Sequence, residues 1–358
     1  MKIRPNTLII NATSVCQLRC PRCPVSEMGY EDKTGKGFLR FEDFKKFVDE
    51  NPQIVKIDFG SFGETVLNPD LLKMIAYGHE KKIALVCEVG VNLNNAKREL
   101  LEGMVKYRFR SLTVSIDGAS EETYQKYRVG GTLGAVLENV RLINHFKKVY
   151  RSPYPRLRWQ FIVFGHNEHE IPAAKKLSKS LGMEIYFKTN WDTDFSPIKD
   201  KAFVQSETGW KYTSREEYES IKGKPITREV CCALWHSPII NWDGRVTGCC
   251  WNVWGDFGKD VFKNGYIESI NNEKMTYAKK MIMGKAPPRE DIPCTQCDLY
   301  KSMKNNNQFY SWKDLAGYFS LKYSLFNMVS QCSGMKWLPG FYRWVSCSLV
   351  KMRRGTPP

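Results

Sequence analysis

The chain has 358 residues, which is enough for two domains at roughly 150 residues each. Its composition, 42% hydrophobic and 26% charged, excludes a disordered chain, and no apolar run approaches the roughly 18 residues that span a membrane. A formal net charge of +16 favours anionic partners such as nucleic acid, a phosphorylated substrate, a membrane surface or an acidic redox protein, although solubility alone explains it equally well. The amino terminus carries no apolar signal core, so we predict a cytoplasmic protein.

Strand-like apolar runs alternate with helix-like amphipathic segments over roughly the first half of the chain. The candidate strands are Thr7–Asn11, Val55–Gly60, Ile83–Val89, Ser111–Asp117, Leu157–Phe164 and Glu184–Lys188. The candidate helices are Phe41–Asp49, Pro69–Glu80, Leu133–Lys148 and Glu170–Leu181. This alternation predicts an α/β fold with a parallel sheet of six units, an open curved barrel whose ligands lie at the carboxyl ends of the strands.

Three of the twelve cysteines, Cys16, Cys20 and Cys23, fall within eight residues directly after the first strand. Thiolates are the usual protein ligands of iron–sulfur clusters, and three of them leave one iron of a four-iron cluster open to another ligand. Zinc is the alternative, because thiolates hold that ion too. The C-x3-C-x2-C spacing resembles the radical S-adenosylmethionine (SAM) superfamily. The resemblance implies a partial (β/α)6 barrel and a [4Fe-4S] cluster that cleaves SAM to a 5′-deoxyadenosyl radical.

Later segments resemble the SAM-binding motifs of the same superfamily. The turn after the second strand contains Gly63 and Glu64 and is similar to the "GGE" motif, although Phe62 stands where a glycine is common. The segment from Leu112 to Arg128 resembles a further family motif almost residue for residue. The resemblance implies that SAM is contacted by Gly63, Glu64, Asn92, Ser115 and Arg128. An ordinary helix cap is an alternative explanation for Asn92, and Ser120 is expected to cap a helix.

A second group of cysteines follows near residue 230. Asp243-Gly244 between two β-prone runs predicts a tight hairpin that folds Cys231 or Cys232 back beside Cys249 or Cys250. A helix over Glu273–Met283 and a Cys-x2-Cys knuckle come next. The arrangement resembles the twitch domain, the shorter relative of the SPASM domain. The resemblance implies one auxiliary [4Fe-4S] cluster, with ligands Cys231, Cys249, Cys294 and Cys297. Cys232 or Cys250 could replace a neighbour, and a structural zinc would use the same residues.

These patterns predict a barrel over residues 5–190, a linker over 191–228, an auxiliary-cluster domain over 229–305 and an aromatic, basic extension over 306–358. Cys332 and Cys347 are too scattered to complete a second auxiliary cluster. The extension is expected to cover the barrel, to contact a membrane surface or a lipid-linked substrate, or simply to pack into the core.

The resemblance implies an oxidoreductase that abstracts hydrogen from its substrate and passes an electron to the auxiliary cluster. Its family analogue is the twitch-type aminocyclitol dehydrogenase, so the first hypothesis is oxidation of a secondary alcohol on a sugar, cyclitol or lipid-linked saccharide. Lys188 and Arg158, expected by the ends of strands six and five, are the candidate bases. An external electron donor such as flavodoxin or ferredoxin is also expected.

Two other functions compete with the first hypothesis. Maturation of a ribosomal peptide, by thioether formation, epimerisation or side-chain oxidation, is common among relatives with these auxiliary domains. An RNA-binding or RNA-modifying protein is suggested by the charge. The sequence contains no separate RNA-binding module, which argues against nucleic acid as a partner.

Overall fold

The computed structural model describes residues 2–27, 35–190, 192, 194–223, 228–258 and 260–316, with the side chains of 228 and 229 excepted. The described residues up to Phe309 belong to one compact unit, and those from Tyr310 to Ala316 belong to a second. Cys332, Cys347 and most of the predicted extension lie outside the described residues.

One sheet organises the first unit. Its strands are β1 (Thr7–Ile10), β2 (Lys56–Asp58), β3 (Ala84–Val91), β4 (Ser111–Ser115), β5 (Arg156–Val163), β6 (Glu184–Thr189), β7 (Ile239–Ile240) and β8 (Val246–Gly248). In the described part of the chain the strand order is β6-β5-β4-β3-β2-β1-β7-β8. Strands β1 to β6 run parallel, in chain order, so the predicted parallel sheet of six units is confirmed.

Helices connect the parallel strands, as the alternating pattern predicts. Those of the first half are α1 (Pro24–Glu27), α2 (Phe41–Glu50), α3 (Leu71–Glu80), α4 (Arg98–Lys106), α5 (Glu121–Tyr127), α6 (Leu133–Val149) and α7 (Ile171–Ser180). In α6 the buried Val136, Val140 and Ile143 recur at the helical period and form the buried face of the helix. Ser120 caps α5 by accepting a hydrogen bond from the Thr123 N–H at 3.3 Å, as predicted.

The stretch expected to be a linker carries two capped helices, α8 (Lys201–Thr208) and α9 (Arg215–Lys222). Asp200 caps the first by accepting from the Phe203 N–H, and Ser214 caps the second. The remaining helices are α10 (Ala233–His236), α11 (Val261–Asn264), α12 (Tyr266–Ile270), α13 (Glu273–Ile282), α14 (Asp298–Asn305) and α15 (Trp312–Ala316). Among the residues that the structure describes, none of these helices has the length and apolarity needed to cross a membrane.

The predicted hairpin is formed by β7 and β8, which pair antiparallel around Gly244. It joins the main sheet, because β7 pairs in parallel with β1. The Asn11 N–H continues this pairing by donating to the Ile240 carbonyl at 2.9 Å. The first half of the chain and the hairpin therefore share one hydrogen-bonded sheet.

Candidate active site

The first cysteine loop, residues 16–23, follows β1, and its backbone is hydrogen-bonded to neighbouring segments. The Arg19 N–H donates to the Val129 carbonyl at 2.9 Å, and the Ser26 hydroxyl donates to the Cys20 carbonyl at 3.1 Å. The pKa of Cys16 is raised to about 12, mainly by burial, with smaller contributions from the charges of Glu64, Cys20 and Cys23. Burial also raises the pKa of Cys20, and a positively charged metal centre would stabilise the thiolate forms of Cys16 and Cys20.

The turn after β2 packs directly on this loop. The Glu64 N–H donates to the Val15 carbonyl at 2.7 Å. Gly63 has φ +74°, and a Cβ at this position would lie 2.5 Å from the Thr13 carbonyl oxygen, so a side chain has no room there. The Glu64 side chain is buried and accepts a hydrogen bond from the Asn92 N–H at 2.7 Å. Burial raises the pKa of Glu64 to about 7.

Asn92, at the end of β3, connects that carboxylate to the cysteine loop. Its amide Nδ2 donates to the Cys16 sulfur at 3.8 Å, and its Oδ1 accepts from Gln17 Nε2 at 2.8 Å. The structure thus brings Gly63, Glu64 and Asn92 together beside Cys16. The part played by Gln17 was not predicted, because nothing in the sequence pairs it with a residue 75 positions away.

Phe62, the departure from the glycine common in the "GGE" motif, has a packing role. It is buried and forms a small apolar cluster with Val253, against which Val25 and Trp254 also pack. Val25 follows the first cysteine loop, whereas Val253 and Trp254 follow the hairpin. This cluster, Val25–Phe62–Val253–Trp254, joins the two cysteine-bearing parts of the protein.

Ser115 is the last residue of β4 and Arg128 directly follows α5, and the two side chains have different neighbours. The Ser115 hydroxyl accepts from Gln160 Nε2 at 3.3 Å, and a Cβ on Gly90 would clash with it. Arg128 forms a buried ion pair with Asp117 and reaches the Cys20 sulfur with NH1 at 3.7 Å. Sequence reasoning missed Asp117, although it lies within the motif that carries Ser115 and Arg128.

The two candidate bases lie at different positions along their strands, Arg158 on β5 and Lys188 on β6. Lys188 is next to last in β6 and pairs in register with Ile162, close to the carboxyl end of β5. Burial lowers the pKa of Lys188, and the charge of Asp117 opposes this effect. Arg158 is the third residue of β5, with its guanidinium 4.6 Å from the centre of the Tyr186 ring. The expectation that Arg158 lies by the end of the strand is therefore corrected.

The second group of cysteines converges on one small cavity that is partly open to solvent. Its cysteine lining consists of Cys231, Cys249, Cys294 and Cys297. Apolar side chains, including Leu234, Trp254, Phe257 and Ile282, make up most of the remaining wall.

The raised pKa of Cys231 also indicates that the cysteines of the second group lie close together. Burial raises the pKa of Cys231 well above its usual value, and the charges of Cys249, Cys294 and Cys297 raise it further. Cys232 and Cys250, the open alternatives, do not line the cavity, and Cys250 is exposed.

Both thiol groups have the ligand chemistry of an iron–sulfur cluster, and the same thiolates would hold a zinc ion. Across the described ranges, no group of three or more His, Cys, Asp or Glu side chains is drawn together closely enough to hold one metal ion. A four-iron cluster spreads its cysteine ligands over a larger volume, and the apolar walls of the second cavity suit a buried cluster.

Comparison with known proteins identifies the first half of the chain. Residues 10–175 match the family model described as the radical SAM superfamily. Residues 10–175 carry a radical SAM domain. An AdoMet-dependent heme synthase of Methanosarcina barkeri is 28% identical to this chain over 183 residues, 51% of this chain and 49% of that protein. This chain therefore spans about half the length of that curated relative.

Solved structures share the fold over most of the chain. SuiB of Streptococcus suis bound to S-adenosylmethionine is 13% identical, with a TM-score of 0.58 over 83% of this chain and 71% of that chain. AnSMEcpe with bound AdoMet and a peptide is 15% identical, with a TM-score of 0.54 over 83% of this chain and 88% of that chain. Both likenesses confirm the α/β architecture predicted from the sequence.

Proposed function

We propose that the protein is a radical SAM dehydrogenase that oxidises a secondary alcohol on a sugar, cyclitol or lipid-linked saccharide. One observation carries this proposal: four cysteines, Cys231, Cys249, Cys294 and Cys297, line a single cavity apart from the first cysteine loop. A cluster held by four thiolates has no open iron for substrate, so electron transfer is the role that remains for it. A resident electron acceptor is what an alcohol oxidation requires.

Cys16, Cys20 and Cys23 of the first loop would hold the first cluster, which would bind the amino and carboxylate groups of SAM. Glu64, buried against this loop, would accept a hydrogen bond from the SAM ammonium group. When bound, the first cluster with SAM would supply the radical that removes a hydrogen atom from the substrate carbon, and the second cluster would accept one electron.

Lys188 is our candidate for the base that removes the hydroxyl proton. It lies on the same face of the sheet as Gln160 and Ser115, because its partner in register, Ile162, is two residues from Gln160. Its lowered pKa increases the fraction of neutral amine, the form that accepts a proton at Nζ. The oxidation then balances: the carbon loses a hydrogen atom, the oxygen loses a proton, and one electron leaves to form the ketone.

The test uses anaerobically reconstituted enzyme, reduced and supplied with SAM and a panel of polyols. We expect formation of 5′-deoxyadenosine together with a ketone, and transfer of deuterium from the substrate carbon into 5′-deoxyadenosine. Lys188→Met should form 5′-deoxyadenosine without the ketone. Lys188→Arg, which keeps a charge but cannot act as a base near neutral pH, should behave in the same way. Full ketone formation by the Arg variant would exclude Lys188 as the base.

Peptide maturation is the second candidate, because the structures that share this fold include SuiB bound to its precursor peptide SuiA. Short peptides carrying a small set of modifiable side chains belong in the same substrate panel. A mass change in a peptide, with no 5′-deoxyadenosine above background for any polyol, would replace the dehydrogenase proposal.

A further inference from the structure

The guanidinium group of Arg128, which directly follows α5, contacts other residues of the chain on two sides. Nε and NH2 contact Asp117 Oδ2 at 2.6 and 2.5 Å, and NH1 donates to the Cys20 sulfur at 3.7 Å. The Asp117 side chain is fully buried, and that of Arg128 is 13% exposed. The guanidinium therefore lies between a buried carboxylate and one of the three thiols of the first loop.

Asp117 is itself fixed, so it sets the direction of the guanidinium fork. Its Oδ1 accepts from the Ile162 N–H at 2.6 Å, and its backbone carbonyl accepts from Asn167 Nδ2 at 3.0 Å. Because the five N–H donors of arginine form a rigid plane, anchoring one side at Asp117 aims the third arm. That arm points to Cys20.

The hydrogen bond to Cys20 differs from the hydrogen bond to Cys16 in the charge of its donor. The Cys16 sulfur accepts from the neutral Asn92 amide at 3.8 Å, whereas the Cys20 sulfur accepts from a permanent cation. Hydrogen bonds to cluster sulfurs and nearby charges are among the factors that set the reduction potential of an iron–sulfur cluster. A positive donor favours the reduced form, which carries one more negative charge.

We propose that Arg128, held in place by Asp117, is a positioning residue that donates a charge-assisted hydrogen bond to the Cys20 sulfur and raises the reduction potential of the first cluster. The inference rests on the proposed role of Cys16, Cys20 and Cys23 as cluster ligands. It differs from the sequence expectation, in which Arg128 contacts SAM directly. Asp117 directs the fork through Nε and NH2.

The experiment measures the midpoint potential of the first cluster in full-length holoenzyme by redox titration with electron paramagnetic resonance. The signal that changes when SAM is added identifies that cluster. The variants are Arg128→Lys, which keeps the charge but loses the fork, and Arg128→Gln combined with Asp117→Asn, which removes both charges of the buried pair together. Arg22→Gln is the matched control, because this half-exposed cation lies in the same loop but pairs with Asp192 at 2.6 Å.

We expect a more negative midpoint potential in the double variant, a smaller shift in the same direction for Arg128→Lys, and no shift for Arg22→Gln. Iron and sulfide content should stay at the wild-type level. An unchanged potential together with weaker SAM binding would overturn the proposal and make Arg128 a SAM contact. If the double variant does not fold, an unchanged potential in Arg128→Lys overturns it equally. The titration contains no substrate, so the result is independent of whether the substrate is an alcohol.

Discussion

The side chain of Lys279 is buried in the part of the protein that follows the hairpin of β7 and β8. It lies on α13, is 4% exposed, and has its Nζ 3.5 Å from the Ile270 carbonyl oxygen. Burial lowers its pKa from 10.5 to about 8. Between these two values the unfolded chain binds a proton that the folded chain does not, so stability rises as the pH rises from about 8 to 10.5. At pH 7 the full penalty applies, and it amounts to about 3 kcal/mol.

The perturbation is Lys279→Met, which keeps an unbranched stem and removes the charge. We expect the free energy of unfolding to increase by about 3 kcal/mol at pH 7, and by only about 1.4 kcal/mol at pH 9.5, because much of the wild-type penalty is then relieved. Urea unfolding of the reconstituted protein at both pH values measures this difference. Lys280→Met is the matched control, because its side chain is exposed on the next position of the same helix, and it should change stability by less than about 0.5 kcal/mol.

Two results would refute this reasoning. No gain at pH 7 would mean that the Lys279 ammonium is solvated in the folded protein. A gain of equal size at both pH values would mean that the methionine stabilises the fold by packing and not by removing a buried charge.

Three further predictions concern the cysteine sites. Phe62→Ala should lower the free energy of unfolding by about 3–5 kcal/mol and speed the loss of iron to a chelator. An unchanged rate of iron release would contradict the role of Phe62 in joining the two cysteine-bearing parts of the protein. Gly63→Ala should weaken SAM binding in equilibrium dialysis and cost stability, because the new Cβ meets the Thr13 carbonyl; wild-type affinity would show that the turn can shift. Cys249→Ser should remove about four irons per chain, while Cys250→Ser should retain them, and equal losses in iron and sulfide assays would contradict the ligand set.

The parallel sheet was predictable because each strand is a short apolar run followed by an amphipathic helix. Thr7–Asn11 and Glu184–Lys188 differ from the observed β1 and β6 by one residue each. Local turn chemistry likewise predicted the hairpin at Asp243-Gly244. These features depend on neighbours in sequence, which is why they could be predicted without the structure.

Partners distant in sequence were not predictable. The role of Phe62 depends on Val253, and the direction of Arg128 depends on the Ile162 N–H that fixes Asp117. The same limit applies to Arg158, because an apolar run does not indicate which of its residues will lie near the site. Only the fold shows that Cys231 and Cys249 line one cavity and that their neighbours in sequence do not.

The pairing of β7 with β1 has a consequence for any attempt to divide the protein. In the intact chain, β1 is flanked on both sides, by β2 and by β7. A chain cut after β6 would keep every helix-covered strand of the barrel but strip β1 of one neighbour, exposing a row of unpaired N–H and C=O groups at a sheet edge. Such an edge is a template for pairing with other copies, so the isolated barrel should aggregate unless the hairpin is retained.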